Sequence, residues 1–170
     1  MWYEIDKKDF LVAVSPDWDD LAIAYNNPKL LGRKIIGKSL SEFISGDVSN
    51  MFTETMIQAA RVRQQPIIKP YRCDSPTHKR IMQMTLTPLL EGRVRIAHEL
   101  VSETPWLHPK NMRTVTNRQR VRKIKRCSMC NNLLDGDQWV TQDRYLENHS
   151  EHTPETLSVF YGICLSCSGM

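Results

Sequence analysis

"RIMQMTLTPLLEGRVRIAHEL", residues 80–100, carries the pattern that decides the fold. Met82, Met84 and Leu86 recur at every second position, and so do Val94, Ile96, His98 and Leu100. A period of two sends successive side chains to opposite faces of an extended chain, so each run predicts a strand with one apolar face. Glu91 and Gly92 lie between them, and glycine tolerates the backbone of a tight turn. Two alternating runs about such a turn predict an antiparallel hairpin.

The neighbouring segments extend this hairpin. "PIIKPYRC", residues 66–73, predicts a third strand, which Pro66 and Pro70 confine to a sheet edge or to its own ends. "DFLVAVS", residues 9–15, also alternates, with Phe10, Val12 and Val14 on one face. Ser15 and Pro16 then open a helix in which Trp18, Leu21, Ala22 and Tyr25 repeat at helical spacing until "NNP" at 26–28 stops it. In "SLSE", Ser39 and Glu42 are spaced for a capping box. Val48, Phe52, Met56 and Ala59 line one side of a longer helix. The predicted class is α+β, an antiparallel sheet with flanking helices.

Composition sets the frame for function. The chain has 170 residues, 41% of them hydrophobic, and a mean hydropathy of -0.44. That suits one ordinary domain with a small appendix. No apolar run approaches the ~20 residues of a membrane helix, and "MWYEIDKKDF" lacks the apolar stretch of a signal peptide. The expectation is a protein of the reducing cytoplasm, where paired cysteines serve as metal ligands rather than disulfides.

The net charge of +4 is unevenly spread. From Thr104 to Leu134 there is no acid, yet Lys110, Arg113, Arg118, Arg120, Arg122, Lys123, Lys125 and Arg126 all fall there. The chain thus divides into a folded domain over 1–103, a basic connector expected as a helix over 104–126, and a cysteine-bearing tail over 127–170. No internal repeat or low-complexity tract is visible.

The tail holds two CxxC pairs, "CSMC" at 127–130 and "CLSC" at 164–167. A CxxC knuckle lets two thiolates reach one ion, and two knuckles close a tetrahedral shell of four. Cys127, Cys130, Cys164 and Cys167 are the predicted ligands. A full thiolate shell leaves no open position, so its role is structural. Zinc is the favoured ion; iron suits the same donors. The segment between the pairs is longer than in common zinc patterns and needs structure of its own, expected as a helix at "TQDRYLENH".

Other residues read more blandly. His98 lies on an apolar strand face and is expected as a core histidine with a hydrogen-bond partner rather than a haem ligand. His149 and His152 are expected at a solvated helix end, since four cysteines already complete a shell. Cys73 is expected as a buried small hydrophobe rather than a redox switch. Asp74 is expected to fold back on backbone amides of its own turn. Trp18 and Trp139 are expected as core anchors. No Walker-type loop, GxSxG or HExxH occurs, so the expectation is a non-enzyme.

The order of strand, short helices, long helix and antiparallel strands resembles a PAS domain. The likeness is carried by "VSPDWDDLAIAYNNPKLLGRKIIGKSLSEFI" and "YRCDSPTHKRIMQMTLTPLLEGRVRI", which together look like a bacterial PAS-like family with an "RCDSP" turn, over roughly residues 10–100. A PAS sheet opens with two strands, whereas one is legible here before the first helix. The tail, "CSMCNNLLDGDQWV…RYLE…YGICLSC", resembles a cysteine module that follows sensory and receiver domains in bacteria. In that module's usual "SHGICPxC" ending, Tyr161 here replaces the His and Leu165 the Pro.

The resemblance implies a sensory or regulatory protein that dimerises and signals through a partner, with an unidentified PAS ligand. The basic stretch supports an alternative, a regulator in which connector and cysteine tail contact nucleic-acid phosphates. Met112, Val115, Val121 and Ile124 give the connector only an irregular apolar face, and few aromatics interleave its cations.

Overall fold

The computed structural model describes residues 1–116, 118–151 and 153–168. It is an α+β protein with two five-stranded sheets. By spatial grouping the chain forms two compact units. The first comprises Met1–Ser45, Asn50–Lys69 and Gln83–Glu99; the second comprises Gly46–Ser49, Pro70–Met82 and Leu100–Met170.

The first sheet has the order β2-β1-β5-β4-β3. Its members are β1 (Trp2–Ile5), β2 (Leu11–Val14), β3 (Ile67–Arg72), β4 (His78–Pro88) and β5 (Val94–Pro105). The hairpin expected about Gly92 is β4 and β5, and its turn places Glu91 at φ 61° and Gly92 at φ 76°. Met84, Leu86, Val94 and Ile96 are buried on the faces that the alternation marks, while Leu100 is exposed. The Pro-bearing β3 lies at the sheet edge, as expected of a strand that lacks a ladder donor at Pro70.

Two readings of this region change. A strand precedes the one expected at residues 9–15: β1 pairs antiparallel with both β2 and β5. β2 also presents the opposite face, with Leu11 buried and Phe10 and Val12 exposed. In so short a strand both faces carry apolar residues, so alternation cannot tell inside from outside.

Between β2 and β3 lie α1 (Trp18–Ala24), α2 (Gly32–Ile35) and α3 (Asp47–Arg63). Trp18 is half-buried, donates from Nε1 to the Leu30 carbonyl at 2.6 Å and meets Tyr3 edge-on, the anchoring expected of it. The capping box forms at the short 3-10 turn Leu40–Phe43, with Ser39 N–H donating to Glu42 Oε1 at 3.2 Å. In α3 the buried stripe is Met56, Ile57 and Ala60, one position round from the expected one, and Val48 is exposed.

The second sheet has the order β6-β10-β7-β8-β9. β6 (Asn111–Thr114) and β7 (Ile124–Cys127) flank β10 (Thr156–Gly162), both parallel to it, and β8 (Leu133–Asp135) and β9 (Gln138–Val140) continue as an antiparallel meander. The connector expected as a helix over 104–126 therefore contains strands. Its irregular apolar residues have a sheet logic: Met112 and Ile124 both pack on the core of this unit.

That core comprises Leu133, Val140, Tyr145, Leu146, Leu157 and Val159. Tyr145 and Leu146 come from α4 (Gln142–Asn148), close to the helix expected at 141–149, and Thr141 Oγ1 caps it by accepting from the Arg144 amide. Trp139, expected as an anchor, is half-buried and outside this cluster.

Candidate metal centre

β7 delivers Cys127 into the interior, where it is fully buried. The chain then reverses over Ser128–Cys130. Asn131 takes φ 58°, a left-handed conformation that asparagine tolerates better than most residues, and its N–H returns to the Cys127 carbonyl at 2.9 Å. Cys127 N–H in turn donates to the Asn132 carbonyl at 2.9 Å, closing the first knuckle.

The second knuckle arrives beside the first because β10 runs parallel to β7 with Gly162 opposite Cys127. Ser128 fastens the pair, donating from its N–H and its hydroxyl to the Gly162 carbonyl at 2.8 and 3.2 Å. Two residues on is Cys164, and the single turn α5 (Leu165–Ser168) brings round Cys167, whose N–H donates to the Cys164 carbonyl at 3.0 Å.

All four predicted sulfurs converge, lying within 4.8 Å of one another, with Cys130 and Cys164 at 3.8 Å. A tetrahedron of ~2.3 Å Zn–S bonds requires about 3.8 Å between sulfurs, so the cluster stands slightly open of that shell. No cysteine is in a disulfide. The donor set is entirely sulfur and lies in a protein interior: Cys127 and Cys164 are buried, Cys130 and Cys167 half-buried.

The electrostatics favour a thiolate at Cys127 and a neutral thiol at Cys130 and Cys167. The Cys130 thiol donates to Cys127, and the amides of Cys130, Cys164 and Met129 also point at that sulfur, against the cost of burial. These donors bring Cys127 down to about 4, while Cys130, which holds the shared proton, is driven up. Burial pushes Cys167 up to about 11. A lone thiolate is thus accommodated without an ion, and accumulating more negative charge calls for a cation. The residues fit a thiophilic divalent ion held by Cys127, Cys130, Cys164 and Cys167.

Beneath the first knuckle lies a polar cluster that sequence reading does not find. Asp74 was expected to serve its own turn. Its carboxylate, only 2% exposed, takes one turn amide, that of Arg80 at 3.0 Å. Its remaining partners are Arg72, bound through Nε at 3.1 Å and Nη2 at 2.7 Å, Arg126 Nη2 at 3.3 Å and Asn131 Nδ2 at 3.0 Å. Arg72 N–H also donates to the Met129 carbonyl at 2.6 Å, and Asn131 Nδ2 to the Arg72 carbonyl at 3.1 Å. The "RCDSP" turn is therefore bonded directly to "RCSMCN". Buried Arg126 keeps one unpartnered atom, Nε.

The remaining candidates separate from the metal centre. His149 hydrogen-bonds through Nε2 to Asp135 Oδ1 at 2.8 Å and packs its ring on Tyr145. His152 lies outside the described residues. Cys73, expected to be buried, is exposed, because Arg72 and Asp74 on either side turn inward to pair with each other. His98 is half-buried, stacked on Tyr3 with ring centroids 5.6 Å apart, and burial drives it down to about 4, so it is neutral near pH 7. No helix among the described residues is long and apolar enough to cross a membrane. Compared with known proteins, the chain matches no family model, no curated protein and no solved structure.

Proposed function

We propose that this chain is a PAS-like sensory or regulatory protein of the cytoplasm, working as a homodimer through a protein partner, with a structural zinc site in its second unit. The observation that carries the metal reading is the convergence of Cys127, Cys130, Cys164 and Cys167 within 4.8 Å. Four thiolates saturate a tetrahedral ion, which leaves no position for water or substrate, so the ion folds rather than catalyses. Zinc is preferred over iron because nothing in the role needs a redox change. The PAS-like reading is supported by β1 and β2 preceding the helices and by the hairpin that follows α3.

Elemental analysis and a visible spectrum of the purified protein test the metal reading together. The expected result is one zinc per chain and no absorption band; iron bands would replace zinc by iron, and metal-free, fully folded protein would refute the site. Light scattering should return twice the 19.8 kDa chain mass. A monomer at micromolar concentration would remove the dimer.

One observation favours the nucleic-acid alternative: Arg118, Arg120 and Arg122 are all exposed on the chain between β6 and β7. Binding to random duplex that weakens steeply with salt would support that reading over the partner-protein one.

A further inference from the structure

The second unit contains a cavity of about 230 Å³ that the metal reading does not use. Arg113, Arg122, His149 and Ser158 line it alongside the apolar surfaces of Tyr145 and Leu157. Arg113 is held in place, donating from Nε to the buried Ser158 hydroxyl at 2.8 Å. That bond uses one of its five N–H donors and leaves its charge unanswered. Among the described residues, no carboxylate lies within ion-pair distance of Arg113 or Arg122. The one acid bound to the lining, Asp135, pairs with His149 and also accepts from Asn148 Nδ2 at 3.0 Å.

The cavity rim thus carries two guanidiniums, on exposed residues, that have no carboxylate within ion-pair distance among the described residues. Bonds from Asn148 and His149 hold the Asp135 carboxyl below the usual carboxylate range, and that anion is committed to those two partners rather than to the guanidiniums. Two guanidiniums on one cavity favour an anion, and such groups offer several parallel donors to tetrahedral oxygens. The Thr153 and Thr156 side chains add hydroxyl-bearing rim. Tyr145 and Leu157 supply an apolar wall that a bare ion would leave uncovered. We propose that this cavity binds a phosphate monoester, with Arg113 and Arg122 on the phosphate and the Tyr145 side against the organic body. The inference is independent of which ion occupies the cysteines and of the PAS-like reading.

The test uses the full chain as purified with its metal, titrated with phenyl phosphate and with inorganic phosphate and followed by calorimetry and amide chemical shifts. Saturable one-to-one binding is expected, with shifts centred on Tyr145 and Ser158. Arg113→Gln and Arg122→Gln should each weaken it about ten-fold or more, the scale of one lost charge-assisted hydrogen bond. Arg118→Gln, an exposed cation outside the lining, should leave it unchanged. Tighter binding of phenyl phosphate assigns an organic monoester, and equal binding assigns free phosphate. The proposal is overturned by non-saturable titration, by shifts away from the cavity in the unaltered chain, or by equal losses in all three variants.

Discussion

Replacing Asp74 tests whether the "RCDSP" turn is part of the metal unit's stability. The carboxylate is 2% exposed and the side chains of Arg72 and Arg126 are 12% and 9% exposed, so the ionic cluster is largely out of water. Breaking a buried pair by removing one partner strands the other charge, at about 3–5 kcal/mol. Asp74→Asn keeps an acceptor for the Arg80 amide but removes the charge, and should cost about 3 kcal/mol. Asp74→Ala also orphans that amide and removes one of the two acceptors of Asn131 Nδ2, and should cost about 4–5 kcal/mol. Urea unfolding followed by amide exchange of residues 124–162 reports on this unit selectively. In a double-mutant cycle, Asp74→Asn with Arg126→Met should cost less than the sum of the single changes, since only Arg72 is then left stranded instead of two guanidiniums. Changes within about 0.5 kcal/mol of the parent, the usual range of surface substitutions, or simple additivity, would refute the reasoning.

Cys164→Ser should abolish metal binding and unfold the second unit, leaving its core open to protease while Trp18 fluorescence stays native; Cys130→Ser and Cys167→Ser should match it. His149→Ala should keep full metal content by elemental analysis, because that ring is committed to Asp135. Acid should weaken the first unit through His98. Its folded value near 4 lies below the ordinary ~6.5, so the unfolded chain takes up the proton first and stability falls from about pH 6.5 down to pH 4, by about 2–3 kcal/mol. His98→Gln should flatten that limb of a pH series of urea midpoints. A fragment ending at residue 103 should lose amide-exchange protection over residues 70–82 while keeping it over 83–99, because the partners of Asp74 at Arg126 and Asn131 are gone.

Much of the fold was legible from local pattern. The hairpin needed only two alternating runs and a glycine turn, and the capping box only Ser39 and Glu42. The four sulfurs were legible because CxxC spacing is itself the geometry of a knuckle. What escaped depended on partners far along the chain. β1 contains Trp2, Tyr3 and Ile5 with Glu4 interrupting them, and only pairing with β2 and the distant β5 makes it a strand. The strands of the basic stretch became strands by flanking β10, some 45 residues further on for β6 and 35 for β7. Asp74 read as a turn residue since its turn is visible in sequence and its arginine at position 126 is not.

Charge explains why turn and knuckle belong together. A divalent ion in four thiolates leaves a centre of formal charge about -2, which must be offset or exposed. Arg126 immediately precedes the first ligand and is buried, which alone would be costly. Asp74 relieves that cost for Arg126 and Arg72 at once, yet one carboxylate against two guanidiniums leaves the cluster net positive. The surplus positive charge therefore lies next in the chain to the thiolates that need it. Asn131 completes the link, since its backbone shapes the knuckle while its amide nitrogen donates to Asp74. A metal-ligand loop normally carries its supporting partners nearby. Here they come from a turn more than fifty residues upstream, so an ion bound by the four cysteines would couple its folding energy to the "RCDSP" turn as well as to the tail.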